Sequence, residues 1–247
     1  MTFALETVDR VDVLTLVDNY VNVLLQSEGR VTRPPLARDR KIPHDTLLAE
    51  HGLSLLVTVR KGAAEHSILL DTGYSEIAAL HNARQLDISL EPVESIVLSH
   101  GHMDHTGSLL PLLPRIGHPI DVVAHPDAFA GPRYLTRPNG TRIRFPLAPD
   151  KATLEQLGAR LVESVEPSLI AEGTVLVTGE VPRVTSFEGG IPGALVERNG
   201  RLEADPIADD QAVVMHLSGR GLVVITGCAH AGVINTVRYA QELVGVS

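Results

Sequence analysis

The run Ser99-His100-Gly101-His102-Met103-Asp104-His105-Thr106-Gly107 places three histidines and one aspartate within six positions. Imidazole nitrogens and carboxylate oxygens are the ligands that hold a catalytic zinc, iron or manganese ion. The run directly follows the apolar stretch Ser95-Ile96-Val97-Leu98, and packing alone gives no reason to crowd polar groups there. Side chains two apart in extended chain point the same way, so His100, His102 and Asp104 are expected on one face. His105 falls out of that register and would serve a second metal if the chain turns into a helix. The competing reading is a histidine-rich surface loop without metal. One or two divalent ions, zinc first and iron or manganese next, would bring water toward ionisation at neutral pH. They would also polarise a phosphoryl or acyl oxygen. The expected chemistry is attack by a metal-bound hydroxide, with His102 and Asp104 as catalytic residues. No Gly-x-Ser-x-Gly motif competes for the role of nucleophile.

Alternating strands and helices must position this run. Strands are expected at 11–17, 54–59, 67–70, 96–99 and 120–124, with Lys61-Gly62 turning the second into the third. Helices are expected at 75–85, at 151–157 and at 233–244. Between the last two helices the pattern is β-rich, with strands at 169–170, 174–178, 194–197, 212–216 and 222–226. Mixed elements over 247 residues fit one large core.

Composition narrows the function further. The net charge is −9, with four Phe, four Tyr and no Trp. The chain therefore lacks the positive field and the stacking platforms of a nucleic-acid binder. No apolar run reaches membrane-spanning length. One cysteine excludes an internal disulfide. With no basic, apolar leader after Met1, the cytoplasm is the simplest location. A small anionic substrate is the expected partner, with neither nucleic acid nor membrane, and a homo-oligomer is compatible. Two segments concentrate positive charge: 27–41 carries Arg30, Arg33, Arg38, Arg40 and Lys41, and 131–144 carries Arg133, Arg137, Arg142 and Arg144. Both contain Pro and Gly and are expected to be irregular loops. They either grip an anionic substrate, Arg133 among the candidates, or lie solvated against the acidic remainder.

His100-x-His102-x-Asp104-His105, together with Ser67-Ile68-Leu69-Leu70-Asp71-Thr72-Gly73 upstream, resembles the signature of the metallo-β-lactamase superfamily. Further matches are Ala49-Glu50-His51-Gly52-Leu53, Ala124-His125-Pro126-Asp127, Thr178-Gly179-Glu180-Val181-Pro182-Arg183 and Thr226-Gly227-Cys228-Ala229-His230-Ala231-Gly232. With these the chain is similar to the branch described as 7,8-dihydropterin-6-methyl-4-(β-D-ribofuranosyl)-aminobenzene-5′-phosphate synthase-like. The resemblance implies an αβ/βα fold of the α/β class, two mixed sheets flanked by helices, over 1–247. It implies that Asp71 supports the site by orienting its ligands, against a plain turn or helix-cap role.

The resemblance also implies later ligands. Cys228 stands where the superfamily has an aspartate or cysteine, and a small buried hydrophobe is its alternative. His230, two residues on, is a ligand or a metal-free helix-start histidine. Glu180 and Arg183 fall where a third histidine is sought, and none is present. The usual C-terminal strand with a last metal-binding histidine is also missing, so incomplete metal occupancy is expected. His51, His125, Arg183 and Arg133 are the expected substrate contacts, and the remaining histidines read as ordinary ones. The function these features imply is metal-dependent hydrolysis of a small anionic ester, a phosphate ester or cyclic phosphodiester. The alternatives are a non-catalytic metal-binding sensor of the same fold and a di-iron redox enzyme.

Overall fold

The computed structural model describes residues 2–246. Strands β1 (Thr7–Val8) and β2 (Arg10–Val17) come first, and a long irregular segment leads to the hairpin β3 (Ser54–Lys61) and β4 (Ala64–Leu70). Next follow α1 (Ala78–Gln85), β5 (Val93–Val97), the one-turn helix α2 (Met103–Thr106), α3 (Leu109–Ile116) and β6 (Ile120–Ala124). The middle of the chain holds β7 (Arg133–Thr136), β8 (Arg142–Arg144), α4 (Lys151–Gln156) and β9 (Ala159–Glu163). The remainder is β10 (Ser168–Ile170), β11 (Val175–Val177), β12 (Ala194–Arg198), β13 (Arg201–Ala204), β14 (Ala212–Leu217), β15 (Gly221–Thr226) and α5 (Val233–Val244).

These strands form a six-stranded sheet in the order β2-β3-β4-β5-β6-β9, parallel from β4 onward. A second sheet runs β1-β14-β11-β10, with β15 also paired to β14, and a ribbon-like third runs β13-β12-β7-β8. Side-chain alternation explains the layering. Ile68, Leu70, Val97 and Val123 meet Val175, Val177, Val213 and Met215 between the two large sheets. Their neighbours Leu69, Ile96, Leu98 and Val122 face outward beneath α1, α3 and α4. Leu176 and Val214 face the other way, onto Ala240 and Leu243 of α5. Both faces of each central strand are therefore buried. That is why Ile68-Leu69-Leu70 and Ser95-Ile96-Val97-Leu98 read as apolar runs rather than alternating ones.

Three expectations are corrected. The segment 131–144 is not an irregular loop; it forms the β7–β8 hairpin, with Tyr134 opposite Arg144 and Thr136 opposite Arg142. Its arginines conceal the strand character, because the buried Arg133 is held by distant acids and not by a local apolar pattern. The strand β9 has no counterpart among the expected elements. The extended geometry expected for 100–104 ends early, because α2 begins at Met103, so Asp104 and His105 reach the site from a helical turn. Segment 27–41 is irregular as expected, apart from two isolated bridges, Glu28 with Val31 and Arg38 with Lys41.

Leu176 is 0% exposed and fixes α5 to the second sheet. Leu176→Ala should cost about 2–5 kcal/mol and lower the melting midpoint by several degrees. An unchanged midpoint in thermal unfolding would show that α5 is not anchored there.

Candidate metal centre

Most of the side chains that converge here sit at or just beyond a strand end, while Asp104 and His105 stand on α2. Asp71 follows β4, the His100 loop follows β5, His125 follows β6, and Cys228 and His230 follow β15. The close approach of these ends needs glycine at two places. A Cβ at Gly227 would overlap the Ser99 hydroxyl, and one at Gly101 would overlap the Ala128 carbonyl oxygen.

Asp71 is completely buried and sits at φ +59°, an unusual conformation for a non-glycine residue. Its carboxylate accepts from the Ser99 backbone N–H at 2.7 Å, from the Ser99 hydroxyl at 2.6 Å and from His105 Nδ1 at 2.6 Å. An ionised carboxylate only accepts, so His105 carries its proton on Nδ1. His105 Nε2 then faces Cys228 Sγ at 3.2 Å and Asp104 Oδ2 at 3.4 Å. The Ser99 hydroxyl gives its proton to Asp71, so it accepts from His100 Nδ1 at 3.0 Å. That leaves His100 Nε2 facing His102 Nδ1 at 3.0 Å. With His102 neutral, this contact either shares the His102 Nδ1 proton or, with that proton on Nε2, presents two lone pairs to one cation.

Two groups of ligand atoms, each within 4.8 Å of one another, share His100: His100 with Asp104 and His105, and His100 with Cys228 and His230. The ring of His102 lies 4.6 Å from that of His100 and 5.1 Å from that of His230, centroid to centroid. His230 Nε2 is buried with no hydrogen-bond partner. These facing nitrogens, the unpartnered His230 nitrogen and the mixed imidazole, carboxylate and thiol donors all fit a divalent transition metal.

The electrostatics favour neutral ligands. Burial, then the neighbouring imidazoles, pull His100 well below the ordinary histidine value. Burial and Arg133 bring His102 down to about 3, and burial with His105 brings His230 down to about 4. These three rings keep their lone pairs at neutral pH. His105 behaves oppositely. Burial works against its charge, but the Asp71 and Asp104 carboxylates push it up to about 12.

The other sequence candidates are placed as follows. His51 is largely exposed, and its Nε2 lies 3.4 Å from Asp104 Oδ2. It is held there because the adjacent Glu50 carboxylate accepts from the Tyr74 and Ser75 backbone N–H groups. His125 Nδ1 accepts from the Asp127 N–H at 3.1 Å, so its proton is on Nε2. That nitrogen is buried without a partner, 3.9 Å from Glu180 Oε2. Arg183 donates from Nη2 to the carbonyls of His230 at 3.3 Å and Ile207 at 3.5 Å.

Arg133 is a correction. It is 5% exposed, with its guanidinium taken up by Asp205 at 3.1 Å, Asp209 at 2.6 Å and the Asp127 carbonyl at 3.0 Å. Desolvating a charge is tolerable only where it is paired, and this pairing leaves the group inside the protein and not at the substrate. Cys228 is exposed, which removes its reading as a small buried hydrophobe. His66 and His81, expected as ordinary solvated histidines, are instead held in place; His66 Nδ1 pairs with Glu94 at 2.9 Å and His81 Nε2 bonds the Thr46 carbonyl at 2.7 Å.

Sequence reasoning missed Ser99, Asp209, Asp210, Gln211 and Phe145. Phe145 sets its ring 5.3 Å from that of His102. Asp209-Asp210-Gln211 immediately precedes the apolar β14, so the signal that exposed the histidine run, polar groups abutting a buried strand, was present there too.

Residues 49–232 match the family model of the metallo-β-lactamase superfamily, and the chain belongs to that family. It is 29% identical over 220 residues to the 7,8-dihydropterin-6-methyl-4-(β-D-ribofuranosyl)-aminobenzene-5′-phosphate synthase of Methanocaldococcus jannaschii, covering 86% of this chain and 72% of that protein. It is 31% identical to an uncharacterized protein of the same organism, covering 79% of this chain and 69% of that protein. Among solved structures, Tm1679, described as a metal-dependent hydrolase of the β-lactamase superfamily, superposes with a TM-score of 0.66 at 25% identity. That match covers 94% of this chain and 72% of that one. The fold is the metallo-β-lactamase fold. Among the described residues no helix is long and apolar enough to cross a membrane.

Asp71→Asn keeps the volume but gives up acceptors needed by Ser99 and His105. It should weaken metal affinity about 10–100-fold, read by competition with a chromophoric chelator. Wild-type affinity in a folded Asp71→Asn protein would remove Asp71 from the support of the site.

Proposed function

We propose that this chain is a metal-dependent hydrolase of small anionic esters, with phosphate esters or cyclic phosphodiesters as the substrate class. The observation that carries the reading is the convergence of His100 Nε2 and His102 Nδ1 at 3.0 Å, beside the donor groups that share His100. Family membership supports hydrolytic chemistry, and the methanogen relative's name specifies a 5′-phosphate compound. One or two ions, zinc before iron or manganese, would be held by His100, His102, Asp104, His105, Cys228 and His230. Bound metal would supply Lewis acidity toward water and toward the ester oxygen.

The chain's own groups do the rest. Asp104 and the exposed His51 form a pair reaching from the site to solvent, suited to carrying a proton outward. Asp71 acts through Ser99 and His105, holding both Nδ1 atoms so that His100 and His105 each turn Nε2 toward the centre. The buried His125 Nε2–H offers a donor to an anionic oxygen. Arg183 steadies the His230 turn through its carbonyl. Phe145 meets the His102 ring in an edge-to-face contact that helps to fix its orientation.

A second reading is a metal-binding sensor without turnover. It is favoured by Glu180 standing beside His125, with no histidine among the described residues to complete the first donor set from that strand end.

The test pairs elemental mass spectrometry of the purified protein with hydrolysis of bis(p-nitrophenyl) phosphate before and after chelation. Bound metal, chelator-sensitive turnover and a loss of about 100-fold or more in a folded His102→Ala variant, about 2.7 kcal/mol of barrier, are expected. Metal without turnover supports the sensor, or moves the search to lactones, thioesters and redox chemistry. A chain that stays metal-free after reconstitution overturns both readings.

A further inference from the structure

The two loops that carry the histidines come from different sheets. His100 and His102 follow β5 of the six-stranded sheet, and His230 follows β15 of the second sheet. Nothing in either loop's local sequence sets their separation, yet the rings of His100 and His230 lie 4.7 Å apart.

Three consecutive residues touch both loops. The Asp209 carboxylate accepts from the Gly101 N–H, between His100 and His102, at 2.7 Å. The Asp210 carboxylate accepts from the Ala231 N–H, directly after His230, at 2.8 Å. Gln211 donates from Nε2 to the Leu98 carbonyl at 2.8 Å and from its backbone to the Ser99 carbonyl at 2.9 Å. All three are at most 3% exposed. The side chains of Asp209 and Gln211 reach the β5 loop, while that of Asp210, between them, reaches the β15 loop. Leu98, Ser99 and Gly101 thus bond to the same tripeptide that bonds Ala231.

The charges on this tripeptide are treated differently. Asp209 is neutralised by a two-nitrogen contact from Arg133, at 2.6 and 3.1 Å, and Arg133 belongs to the third sheet. Asp210 has no such cation. Its Oδ1 is buried without a partner. An uncompensated buried oxygen costs stability, and such groups persist in folded proteins where they hold something functional in place. A tripeptide needed only to pack β14 would do as well with apolar residues at these buried positions.

We propose that Asp209-Asp210-Gln211 is a positioning template that sets the spacing of the two ligand loops, Asp209 and Gln211 holding the His100–His102 side and Asp210 the His230 side. The proposal rests on the metal-centre reading for its consequence, but its backbone hydrogen bonds are testable without metal.

The experiment uses full-length Asp209→Asn, Asp210→Asn and Asp210→Ala proteins, with folding checked by circular dichroism. Amide exchange followed by NMR on the metal-free chain reads the bonds themselves. Asp210→Ala should lose protection at Ala231 and keep it at Gly101, and Asp210→Asn, which retains an acceptor, should recover part of it. Cobalt(II) titration then reads the centre. Asp210→Ala should bind about 10–100-fold more weakly with an altered visible spectrum, and Asp210→Asn should bind between it and the wild type. Unchanged Ala231 protection in Asp210→Ala overturns the proposal. So does wild-type cobalt affinity and spectrum in a variant that has lost that protection. A wild-type chain that binds no cobalt would instead overturn the metal-centre reading, leaving the exchange result to decide the template. If Asp210→Ala fails to fold, Asp210→Asn and Asp209→Asn decide, since wild-type exchange and cobalt behaviour in both would sink the idea.

Discussion

The buried carboxylate of Asp71 is the interaction on which the rest of this structure depends. It lies where β4, the loop after β5, α2 and the end of β15 converge, and its partners come from the loop after β5 and from α2, with Gly227 at the end of β15 packed against it. An aspartate at φ +59° carries strain of about 1–3 kcal/mol, and a fully buried carboxylate is costly unless its oxygens are hydrogen-bonded. Here one oxygen takes the Ser99 N–H, and the other takes the Ser99 hydroxyl and His105. The same bonds decide which nitrogen of His100 and of His105 bears the proton. Stability and ligand orientation are therefore one problem with one solution, and the missing Cβ of Gly227 is the steric condition for it.

Around this hub the molecule keeps His100, His102 and His230 neutral by burial and pairs Asp205 and Asp209 with one buried cation. In a chain of net charge −9, the deeply buried Arg133 is committed to Asp205 and Asp209, not to a ligand. That choice ties the β7–β8 hairpin to the His100 loop, because Asp209 also accepts from Gly101. By alternation along the hairpin, Arg142 and Arg144 share a face with Thr136 and Tyr134, opposite to the face of Arg133. The hairpin thus approaches the site through Phe145 and Arg133, and its charge-rich face points elsewhere.

What was legible in the sequence was whatever obeyed a short-range rule. The apolar runs marked β4, β5, β6 and β14 because both faces of those strands are buried, and the polar run after β5 stood out for its contrast with them. His230 and Cys228 were legible through motif likeness, and the structure brings both beside His100. What was not legible depended on partners far away in sequence. Arg133 looked like a loop cation because its acids lie more than 70 residues downstream. Asp209 and Asp210 went unread because the N–H groups they hold belong to residues 101 and 231. Helix α2 was hidden by its length of four residues, too short for any periodic pattern.

The division of labour between body and rim follows from where each ligand is rooted. The ligand loops all leave the ends of strands packed between two layers, so their positions are inherited from the core. The segments around the site are rooted differently. The stretch that delivers His51 crosses from β2 to β3 without regular structure and is tied down through Asn82, whose side chain bonds the carbonyls of Leu16 and Leu48, and through Glu50. The Phe187–Ile191 stretch borders an open cleft of about 350 Å³ beside His230, with Phe187 73% exposed. Changes in such rim segments cost little core packing, whereas changes at Asp71, Ser99 or Gly227 reach the bonds that hold both His100 and His105. A fold built this way can keep the histidine cluster at its strand ends unchanged while the rim around it varies at little cost to the core.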